Sequence, residues 1–492
     1  MVKNKAKTST VKKSSSKKSV AKNAPKQSTN KFSIVGKILA GLISVTYLMA
    51  LYVVLSTKLI PTKYLLVLVP VSLLIIAPTI YANIRYKWQS VAKSILLVFL
   101  SLCMLLANSF VFVIANSTNN FFNNIGGQQY SLESYSIVTK KSNPSTLKTG
   151  QAIGYLADDQ NNTAVLQEVS KKTKAKPTPF NELASLTVAL DDQTVDLAVM
   201  RSALLPLLQQ NYLSFYNDIT VLDTFDIKVA SKTTAKTDIT KPFAVFIGGI
   251  DTYGQIDTTG RSDVNIVAVV NPQTRKILLV NTPRDYYVQL HGTTGVRDKL
   301  THAGIYGVDM SRQTLEDLYG IPIAYSVRVN FTSLLNIIDT IGNVIVYSEN
   351  AFTSGGYSYE VGYNQLDSKQ ALEFSRNRYA FENGDRTRGQ NQQRVIEAII
   401  DKLGDPRSLL KYQNVVQALG SSVQTNASKE EISAAIKQQM NTLGNWQVES
   451  IAVDGSDSRN ATYSMGPMQL YVMEPNQESL NAARTKIQQY LQ

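Results

Sequence analysis

The chain has 492 residues, 44% of them hydrophobic, and it carries 50 Lys and Arg against 37 Asp and Glu. This length allows two or three domains. The basic side chains are unevenly placed: residues 1–132 hold sixteen of them and no acidic residue, so the remainder, with 34 basic and 37 acidic residues, has a net charge of −3. The formal charge of +13 is therefore poor support for a nucleic-acid-binding domain. The single cysteine, Cys103, excludes an intrachain disulfide.

The N-terminal third has the composition of a tail followed by a membrane anchor. Residues 1–31 contain ten lysines and few apolar side chains, which predicts a disordered basic tail. Three apolar segments without acidic residues follow, each close to the length that crosses a bilayer: 34–56, 64–82 and 94–116. The sequence therefore predicts three transmembrane helices within 32–116.

The basic residues that flank these segments predict the membrane topology. The tail is rich in lysine and the linker 83–93 holds three basic residues, whereas the linker between the first two segments holds only Lys58 and Lys63. Lys and Arg accumulate in the cytoplasmic loops of membrane proteins. We therefore expect the tail and the 83–93 linker to be cytoplasmic and the chain from about residue 117 onward to lie outside.

Residues 117–240 are predicted to form an extracytoplasmic stalk and a small accessory α/β domain. The Asn, Ser and Gly residues of 117–147 indicate the stalk. Strand and helix patterns then alternate to about residue 229, with a strand in GQAIGYLA and helices in NNTAVLQEVSKK and RSALLPLLQQN. These patterns do not indicate a ligand.

Residues 241–492 show the pattern of a larger α/β domain. The runs FAVFIGGI, VNIVAVVN and ILLVN are continuously apolar, as is typical of strands covered on both faces. Helical patterns alternate with strands, and Asp367 or Ser368, after a loop in GYNQL, is expected to cap the helix that ends in SRNR. The predicted fold class is α/β: a mixed-sheet α/β sandwich as the catalytic domain, preceded by the small accessory α/β domain and the three N-terminal transmembrane helices.

Polar residues follow or precede the three buried strands of this domain. Asp251 ends the first strand, Arg261 and Asp263 precede the second, and Arg284 and Asp285 follow the third. In open α/β sheets, ligands bind in the crevice outside the carboxyl ends of the strands. The sequence therefore predicts that these side chains meet at one edge of the sheet.

A second group of basic residues lies in SRNRYAFENGDRTRGQNQQR. Its arginines are Arg376, Arg378, Arg386, Arg388 and Arg394. Arg388, Gln392 and Val395 recur at the spacing of one helix face. An inward arginine near a helix start suits a bound anion, because free N–H groups and the helix dipole favour negative charge there. A solvated basic face is the alternative interpretation, and Arg386 and Arg394, off the shared face, are expected to be surface or structural residues.

The residue types of the two groups suit a metal-assisted diphosphate site. Carboxylates such as Asp251 and Asp263 suit Mg²⁺, which binds through one or two carboxylates plus substrate phosphates, with Mn²⁺ as an alternative. The arginines suit a diphosphate whose charge must be spread in the transition state. Lys299 is either a phosphate contact or solvated, and His302 is expected to form a structural hydrogen bond. The sequence contains no Gly-rich phosphate loop that ends in Lys-Ser or Lys-Thr.

The motifs GIDTYG, GRSDVNIVAVVN, TPRD and THA, followed by SRNR and RTRGQNQQR, resemble those of the LytR–CpsA–Psr family over about 243–492. The likeness is closest to capsule-type members with several membrane helices and an extra domain. It implies a Mg²⁺-dependent phosphotransferase in the plasma membrane of a Gram-positive-type bacterium. Such an enzyme moves a capsular polysaccharide or teichoic-acid-type polymer from an undecaprenyl-diphosphate carrier to peptidoglycan.

The resemblance also assigns roles to residues. The family's metal-associated aspartates correspond to Asp251 and Asp263, and Tyr253 stands where many members have arginine. The expected diphosphate contacts, with Lys299 added from the site's charge, are Arg261, Arg284, Arg376, Arg378, Arg388, Gln392 and Lys299. The expected catalytic groups are Asp263, Asp285, Arg284 and Arg388. Family members bind the prenyl tail in an apolar tunnel, whose lining the sequence does not reveal.

The implied partners are an undecaprenyl-diphosphate-linked glycan, peptidoglycan and the lipid bilayer, with capsule or wall assembly proteins as further candidates. Nucleic acid is not expected, because the Lys-rich tail has no aromatic residues between its lysines and supports only weak, salt-dependent contacts. Two other functions are compatible with the sequence. One is a polyprenyl-diphosphate phosphohydrolase, and the other is a non-enzymatic regulator, of the transcriptional attenuator type, of cell-wall or capsule synthesis.

Overall fold

The structure of the chain is a computed structural model that describes residues 28–85, 90–125, 130–230, 237–250, 259–381, 384–405, 423–442 and 444–492. The chain divides into two compact units: Met1–Tyr52 with Leu66–Phe112, and Val53–Leu65 with Val113–Gln492. Most of the predicted basic tail lies outside the described residues.

Three long helices form the N-terminal part: α1 (Ser28–Thr57), α2 (Thr62–Arg85) and α3 (Val91–Ile125). Each contains a stretch long and apolar enough to cross a membrane, so the three predicted segments are confirmed as helices. Pro70 and Pro78 lie inside α2, and α3 continues beyond its predicted end near residue 116. Within the first unit, Asn83 Nδ2 donates to Ser101 Oγ at 2.8 Å, a polar link that joins helices in apolar surroundings.

Residues 130–230 form a five-stranded sheet with four helices. Its elements are β1 (Tyr130–Lys140), β2 (Ala152–Leu156), α4 (Asn162–Lys172), β3 (Lys176–Phe180), α5 (Leu183–Asp191), β4 (Leu197–Arg201), α6 (Leu205–Asn211), α7 (Leu213–Asp218) and β5 (Ile219–Ala230). The strand order is β3-β2-β4-β1-β5, parallel from β3 to β4 and antiparallel from β4 to β5. The predicted strand in GQAIGYLA and both predicted helices are confirmed as β2, α4 and α6. We call residues 130–230 the accessory region.

The interpretation of 117–147 as a stalk is wrong for 130–140, because β1 pairs there with both β4 and β5. Tyr135 and Ile137 of β1 are buried, but the polar residues Glu133 and Ser136 stand among them in the sequence and hide the strand pattern. These polar residues are also buried, and each pairs with another polar side chain, Glu133 with Arg201 and Ser136 with Ser202.

A buried ion cluster explains how β1 accommodates a carboxylate. Arg201, at the end of β4, forms an ion pair with Glu133 and a bidentate pair with Asp159, both bonds at 2.8 Å. The guanidinium also lies 5.4 Å from the ring centre of Tyr306, which lies beyond the accessory region in the chain. Burial raises the pKa of the Glu133 carboxyl, and the Arg201 charge opposes that shift. The cluster therefore links three segments of the accessory region and reaches the region that follows.

Residues 237–492 contain a second, larger set of elements. The strands are β6 (Phe243–Gly249), β7 (Val264–Asn271), β8 (Lys276–Asn281), β9 (Tyr287–Val288), β10 (Asp298–Lys299), β11 (Tyr325–Val329), β12 (Val344–Ser348), β13 (Phe352–Ser354), β14 (Tyr357–Tyr359), β15 (Gly362–Leu366), β16 (Gln424–Thr425), β17 (Gln447–Ala452), β18 (Gly455–Thr462) and β19 (Gly466–Pro475). The helices are α8 (Leu300–Ala303), α9 (Val308–Tyr319), α10 (Phe331–Ile341), α11 (Ser368–Arg376), α12 (Gly384–Gly404), α13 (Lys429–Thr442) and α14 (Gln477–Leu491).

The central sheet of this region is mixed, as predicted. Its order is β16-β11-β6-β7-β8-β17. The pairs β6–β7 and β7–β8 are antiparallel, whereas β6–β11 and β8–β17 are parallel. The start of β7 therefore lies at the same edge of the sheet as the ends of β6 and β8, which decides where the site forms.

Both faces of the central sheet are covered, because successive residues of each strand point to opposite sides. Val267 and Val269 of β7 belong to a buried cluster that includes Leu315 of α9. Ile266 points the other way, into a cluster against which Ile396 of α12 packs. The continuous apolar runs of the sequence therefore reflect a sheet between two helical layers.

Side-chain caps fix the first turns of the helices α10 and α11. Asn330 caps α10 in a capping box with Ser333. Asp367, rather than Ser368, caps α11 in a second capping box, each such cap contributing about 1 kcal/mol. The GYNQL segment before α11 was expected to be a loop, and this expectation is wrong, because it forms β15 and pairs with β12.

Replacing Arg201 with alanine leaves the buried carboxylates of Glu133 and Asp159 without their cation. We expect the free energy of unfolding to fall by about 3–5 kcal/mol, seen as a lower thermal midpoint of the purified protein. Lys172→Ala is the matched control, because its pair with Asp223 is partly exposed and contributes about 0–1 kcal/mol. Equal, small shifts in the two variants would contradict the structural role of the cluster.

Candidate active site

The site begins where β7 starts and β8 ends. Asp263 immediately precedes β7, and Arg284 follows β8. The Arg284 Nη1 donates to Asp263 Oδ1 at 3.1 Å, and the Thr301 hydroxyl donates to the same oxygen at 3.0 Å. Backbone hydrogen bonds from Ser262 to Thr301 and from Thr301 to Arg284 hold the three segments side by side. The carboxylate therefore has a fixed position between a guanidinium and a hydroxyl.

A second carboxylate, that of Asp285, lies next to Arg284. Arg284 Nε lies 3.5 Å from Asp285 Oδ2, and Lys299 Nζ lies 2.5 Å from Asp285 Oδ1. The side chains of Asp263 and Asp285 are only 8% and 9% exposed. Opposite charges at such distances attract strongly away from water, so both carboxylates stabilise the position of Arg284.

The arginine-rich stretch supplies the facing wall. Arg376 ends α11, with its guanidinium 4.2 Å from the ring centre of Phe331. Arg378 donates to the Tyr379 hydroxyl at 2.7 Å. Arg388 lies in the second turn of α12 and is 9% exposed. Arg388 is therefore an inward-pointing arginine near a helix start, as the sequence predicted.

Gln393 fixes α12 on the central sheet. Its side-chain amide donates to the backbone oxygens of Leu279 and Ile451, at 3.1 and 2.8 Å. Leu279 belongs to β8 and Ile451 to β17. The helix that carries Arg388 and Gln392 is thereby tied to the strand that leads to Arg284.

These walls enclose a cleft of about 560 Å³. The predicted site residues that line it are Arg261, Asp263, Arg284, Arg376, Arg378, Arg388 and Gln392. Its apolar wall consists of Ile247, Ile250, Val264, Val329, Phe331, Leu334, Val395 and Ile396. We call this space the apolar cleft. It combines five arginines with apolar surface and room for a hydrocarbon chain.

The remaining predicted site residues lie elsewhere. Asp285 and Lys299 line a neighbouring cavity of about 230 Å³ instead. Asp251 and Tyr253 lie outside the described residues. Ile250, the residue before Asp251, is buried and lines the apolar cleft.

Structural contacts, as the sequence predicted, are formed by Arg386, Arg394 and His302. Arg386 donates to the Gly455 backbone oxygen at 2.5 Å, and Arg394 pairs with Glu349 at 2.5 Å. The buried His302 has its Nδ1 2.7 Å from Asp298 Oδ1. These contacts lie outside the apolar cleft.

Sequence reasoning missed the apolar wall and several polar residues of the cleft: Gln210, Asn330, Ser354, Glu373, Ser375, Asn377 and Tyr379. The wall residues come from β6 and the residue after it, β7, β11, α10 and α12, and their apolar runs are indistinguishable in sequence from core. Gln210 of α6 accepts a hydrogen bond from Arg261 Nη1 at 3.0 Å. It belongs to the accessory region, and no local pattern connects it with Arg261.

The residue types are compatible with Mg²⁺ that is shared with a substrate. In the described parts of the chain there is no group of three or more His, Cys, Asp or Glu that could hold a metal ion by itself. Mg²⁺ commonly binds through one or two carboxylates plus substrate phosphates. Asp263, in the cleft beside Arg284, fits this donor set.

Comparison with known proteins connects the site to a family. The sequence model of the LytR_cpsA_psr family matches residues 214–486. A polyisoprenyl-teichoic acid–peptidoglycan teichoic acid transferase TagU of Enterococcus faecalis is 36% identical over 195 residues, which are 39% of this chain and 64% of the relative. The TagU of Bacillus mycoides is 34% identical over 223 residues, 45% of this chain and 72% of the relative. The crystal structure of B. subtilis TagV is 27% identical, with a TM-score of 0.44, and covers 51% of this chain and 98% of its own.

The chain belongs to the LytR–CpsA–Psr family. The matched residues contain the whole central sheet and every predicted site residue. They do not include β1 to β4 or α6 of the accessory region.

Gly304 permits the close contact that positions Arg261 and Asp263. A Cβ at this residue would lie 2.5 Å from the Gly260 backbone oxygen and 2.6 Å from the Ser262 backbone nitrogen. We expect Gly304→Ala to destabilise the protein by about 1–3 kcal/mol, because backbone must move to admit the methyl group. Thermal unfolding of the purified variant measures this loss.

Gly404→Ala is the control, since its Cβ would meet Asn445 at an ordinary distance of 3.7 Å. A thermal midpoint of Gly304→Ala as high as that of the control would show that the contact is not needed.

Proposed function

We propose that this protein transfers a phosphate-linked glycopolymer from an undecaprenyl-diphosphate carrier to peptidoglycan. The observation that carries the proposal is one cleft whose lining combines five arginines with an apolar wall. Guanidinium groups match phosphate oxygens in a bidentate way, and the apolar wall offers the prenyl chain an escape from water. The names of the TagU relatives support a teichoic-acid-type polymer, and the likeness to capsule-type members keeps a capsular polysaccharide as the alternative.

The proposed reaction is one phosphoryl transfer. The acceptor hydroxyl oxygen, on a muramic acid residue, attacks the phosphorus next to the sugar and forms a new P–O bond. The bond from that phosphorus to the bridging oxygen breaks, and polyprenyl monophosphate leaves with its electron pair. The hydroxyl proton passes to a carboxylate, for which Asp263 and Asp285 are the two candidates. The product is the glycan joined to peptidoglycan through the transferred phosphate.

The arginines act by position and charge. Arg284 is held between Asp263 and Asp285, so it needs little reorganisation when charge develops on the diphosphate. Arg388 faces it from α12, and both line the same cleft. Preorganised donors of this kind are among the largest contributions to catalysis.

The proposal includes Mg²⁺, with the carboxylates of Asp263 and Asp251 as its expected ligands. Asp251 lies outside the described residues. Bound there with the diphosphate, it would supply positive charge to the phosphate oxygens. Asp263 remains oriented by Thr301 and Arg284. Mn²⁺ has similar ligand preferences and is the expected substitute.

The proposed location is the plasma membrane of a Gram-positive-type bacterium. The three apolar helices support a multi-pass anchor. The basic residues before the first helix and within 83–93 support a cytoplasmic N-terminus and a cleft outside the cell. An anchor of this kind would hold the chain in the membrane that contains the lipid carrier, and capsule or wall assembly proteins are candidate neighbours.

Arg284→Ala and Arg388→Ala should each lower the transfer rate about 10²–10³-fold, because each removes a cation from the diphosphate. The assay uses purified full-length protein, an undecaprenyl-diphosphate-linked oligosaccharide and a muropeptide acceptor. It measures glycan attached to the muropeptide, and thermal midpoints verify folding.

Arg394→Ala is the matched control, because Arg394 lies on the same helix but pairs with Glu349 outside the cleft. Full transfer by either cleft variant would sink the assignment. Release of polyprenyl monophosphate by the wild type without muropeptide product would identify a hydrolase instead.

Asp263→Asn should raise the Mg²⁺ concentration needed for half-maximal transfer, because it removes one of the two proposed metal carboxylates. We expect an increase of at least about tenfold, equivalent to roughly 1.4 kcal/mol. Mn²⁺ binding followed by electron paramagnetic resonance, with undecaprenyl diphosphate present, gives a readout that does not depend on turnover. Asp191→Asn, at an exposed pair with Lys140, is the control. Undiminished wild-type transfer in excess chelator would exclude the metal.

A further inference from the structure

A second cavity adjoins the apolar cleft. It has a volume of about 230 Å³, and it shares Gln210, Arg261 and Arg284 with the cleft. The two spaces therefore meet at the arginines to which the diphosphate is assigned. A molecule whose diphosphate lies at these arginines can extend in two directions, with its apolar part in one space and the rest in the other.

One wall of this second cavity comes from the accessory region. Leu207, Gln210 and Asn211 of α6 line it. The family match begins at residue 214, so α6 precedes the part of the chain that defines the family. The hydrogen bond from Arg261 to Gln210 fixes this wall against the diphosphate side of the site.

Another wall comes from the β18–β19 hairpin. Arg459, Leu470 and Tyr471 line the cavity from this side. The Tyr471 hydroxyl donates to Asp457 at 2.9 Å, and Lys299 Nζ lies 5.7 Å from the centre of the Tyr471 ring. The aromatic ring is therefore held in place beside the charged groups.

The chemistry of this cavity differs from that of the apolar cleft. Most of its lining is polar or charged, including the ammonium and imidazole groups of Lys299 and His302, which the described lining of the cleft lacks, and its larger apolar side chains are limited to Leu207, Leu470 and the Tyr471 ring. Side-chain amides and guanidinium groups form hydrogen bonds with hydroxyl and acetamido groups, while an aromatic ring covers the C–H face of a sugar. The volume suits one sugar residue rather than an oligosaccharide.

Resting on the proposed function, we propose that the second cavity is a pyranose subsite and that α6 gives this chain its glycan selectivity. The sugar is either the first residue of the donor, attached to the diphosphate, or the residue of the acceptor that carries the attacking hydroxyl. Both lie next to the reacting phosphorus, and both have the same hydroxyl and acetamido chemistry. Residues of α6, outside the family match, therefore contribute to the choice of glycan together with matched residues such as Tyr471.

The test compares two lipid probes with purified full-length protein in detergent. The probes are undecaprenyl diphosphate and undecaprenyl-diphospho-N-acetylglucosamine, and their dissociation constants are measured without acceptor. Gln210→Ala and Tyr471→Ala alter the two walls of the cavity. Gln209→Ala, the neighbouring exposed residue on α6, is the control, and Arg261→Ala is the reference for loss of diphosphate binding.

If the donor sugar occupies the cavity, both wall variants bind the sugar-bearing lipid about tenfold more weakly, as expected from one or two lost hydrogen bonds, and bind undecaprenyl diphosphate normally. If the acceptor sugar occupies it, both lipids bind normally and the KM for a muropeptide rises by a similar factor. Arg261→Ala weakens both lipids alike.

Two outcomes overturn the proposal. One is unchanged lipid binding and unchanged muropeptide KM in both wall variants. The other is equal weakening of both lipids by Gln210→Ala, which would show that Gln210 only orients Arg261. Wild-type protein that binds neither lipid and transfers no glycan would refute the proposed function instead, so the two failures are distinguishable.

Discussion

The pair between Arg284 and Asp263 is the interaction on which the site depends. It exists because β7 runs antiparallel to both of its neighbours, so that its first residues meet the last residues of β6 and β8 at one edge. Arg284 alone would be a partly buried cation, and Asp263 alone a partly buried anion; each reduces the desolvation cost of the other. Thr301 and Asp285 then fix the orientation of the pair. The helix α12 adds Arg388 to the cleft that this pair lines.

The sequence predicted the central sheet well because its strands are covered on both faces, which produces continuous apolar runs such as VNIVAVVN. The sequence also predicted that the arginines of α11 and α12 share a site with Arg284. This prediction came from the order of the motifs rather than from geometry. Sequence reasoning failed at β1, where buried polar residues such as Glu133 imitate a linker, and at β15, whose GYNQL sequence alternates only weakly. The lining of the cleft was out of reach, since a tunnel wall and a core are built from the same residue types.

Charge placement differs between the apolar cleft and the neighbouring cavity. The cleft combines five arginines with eight large apolar side chains. In the neighbouring cavity, the one acidic side chain among the described lining residues, Asp285, pairs with Lys299, and three arginines also line the space. Two of those arginines, Arg261 and Arg284, are shared with the cleft. Under the proposed function, a lipid-linked phosphosugar would place its diphosphate at these shared arginines, its apolar chain in the cleft and its sugar in the cavity.

The pairing of β1 with β5 has a consequence for how such proteins diversify. Tyr130 pairs with Ala230, so the accessory region starts and finishes at neighbouring points on adjacent strands. Such a segment can be exchanged for another, or lost, without rerouting the chain on either side. Under the proposed function, an exchange of this kind would replace the α6 wall of the second cavity and keep the arginines that line the apolar cleft.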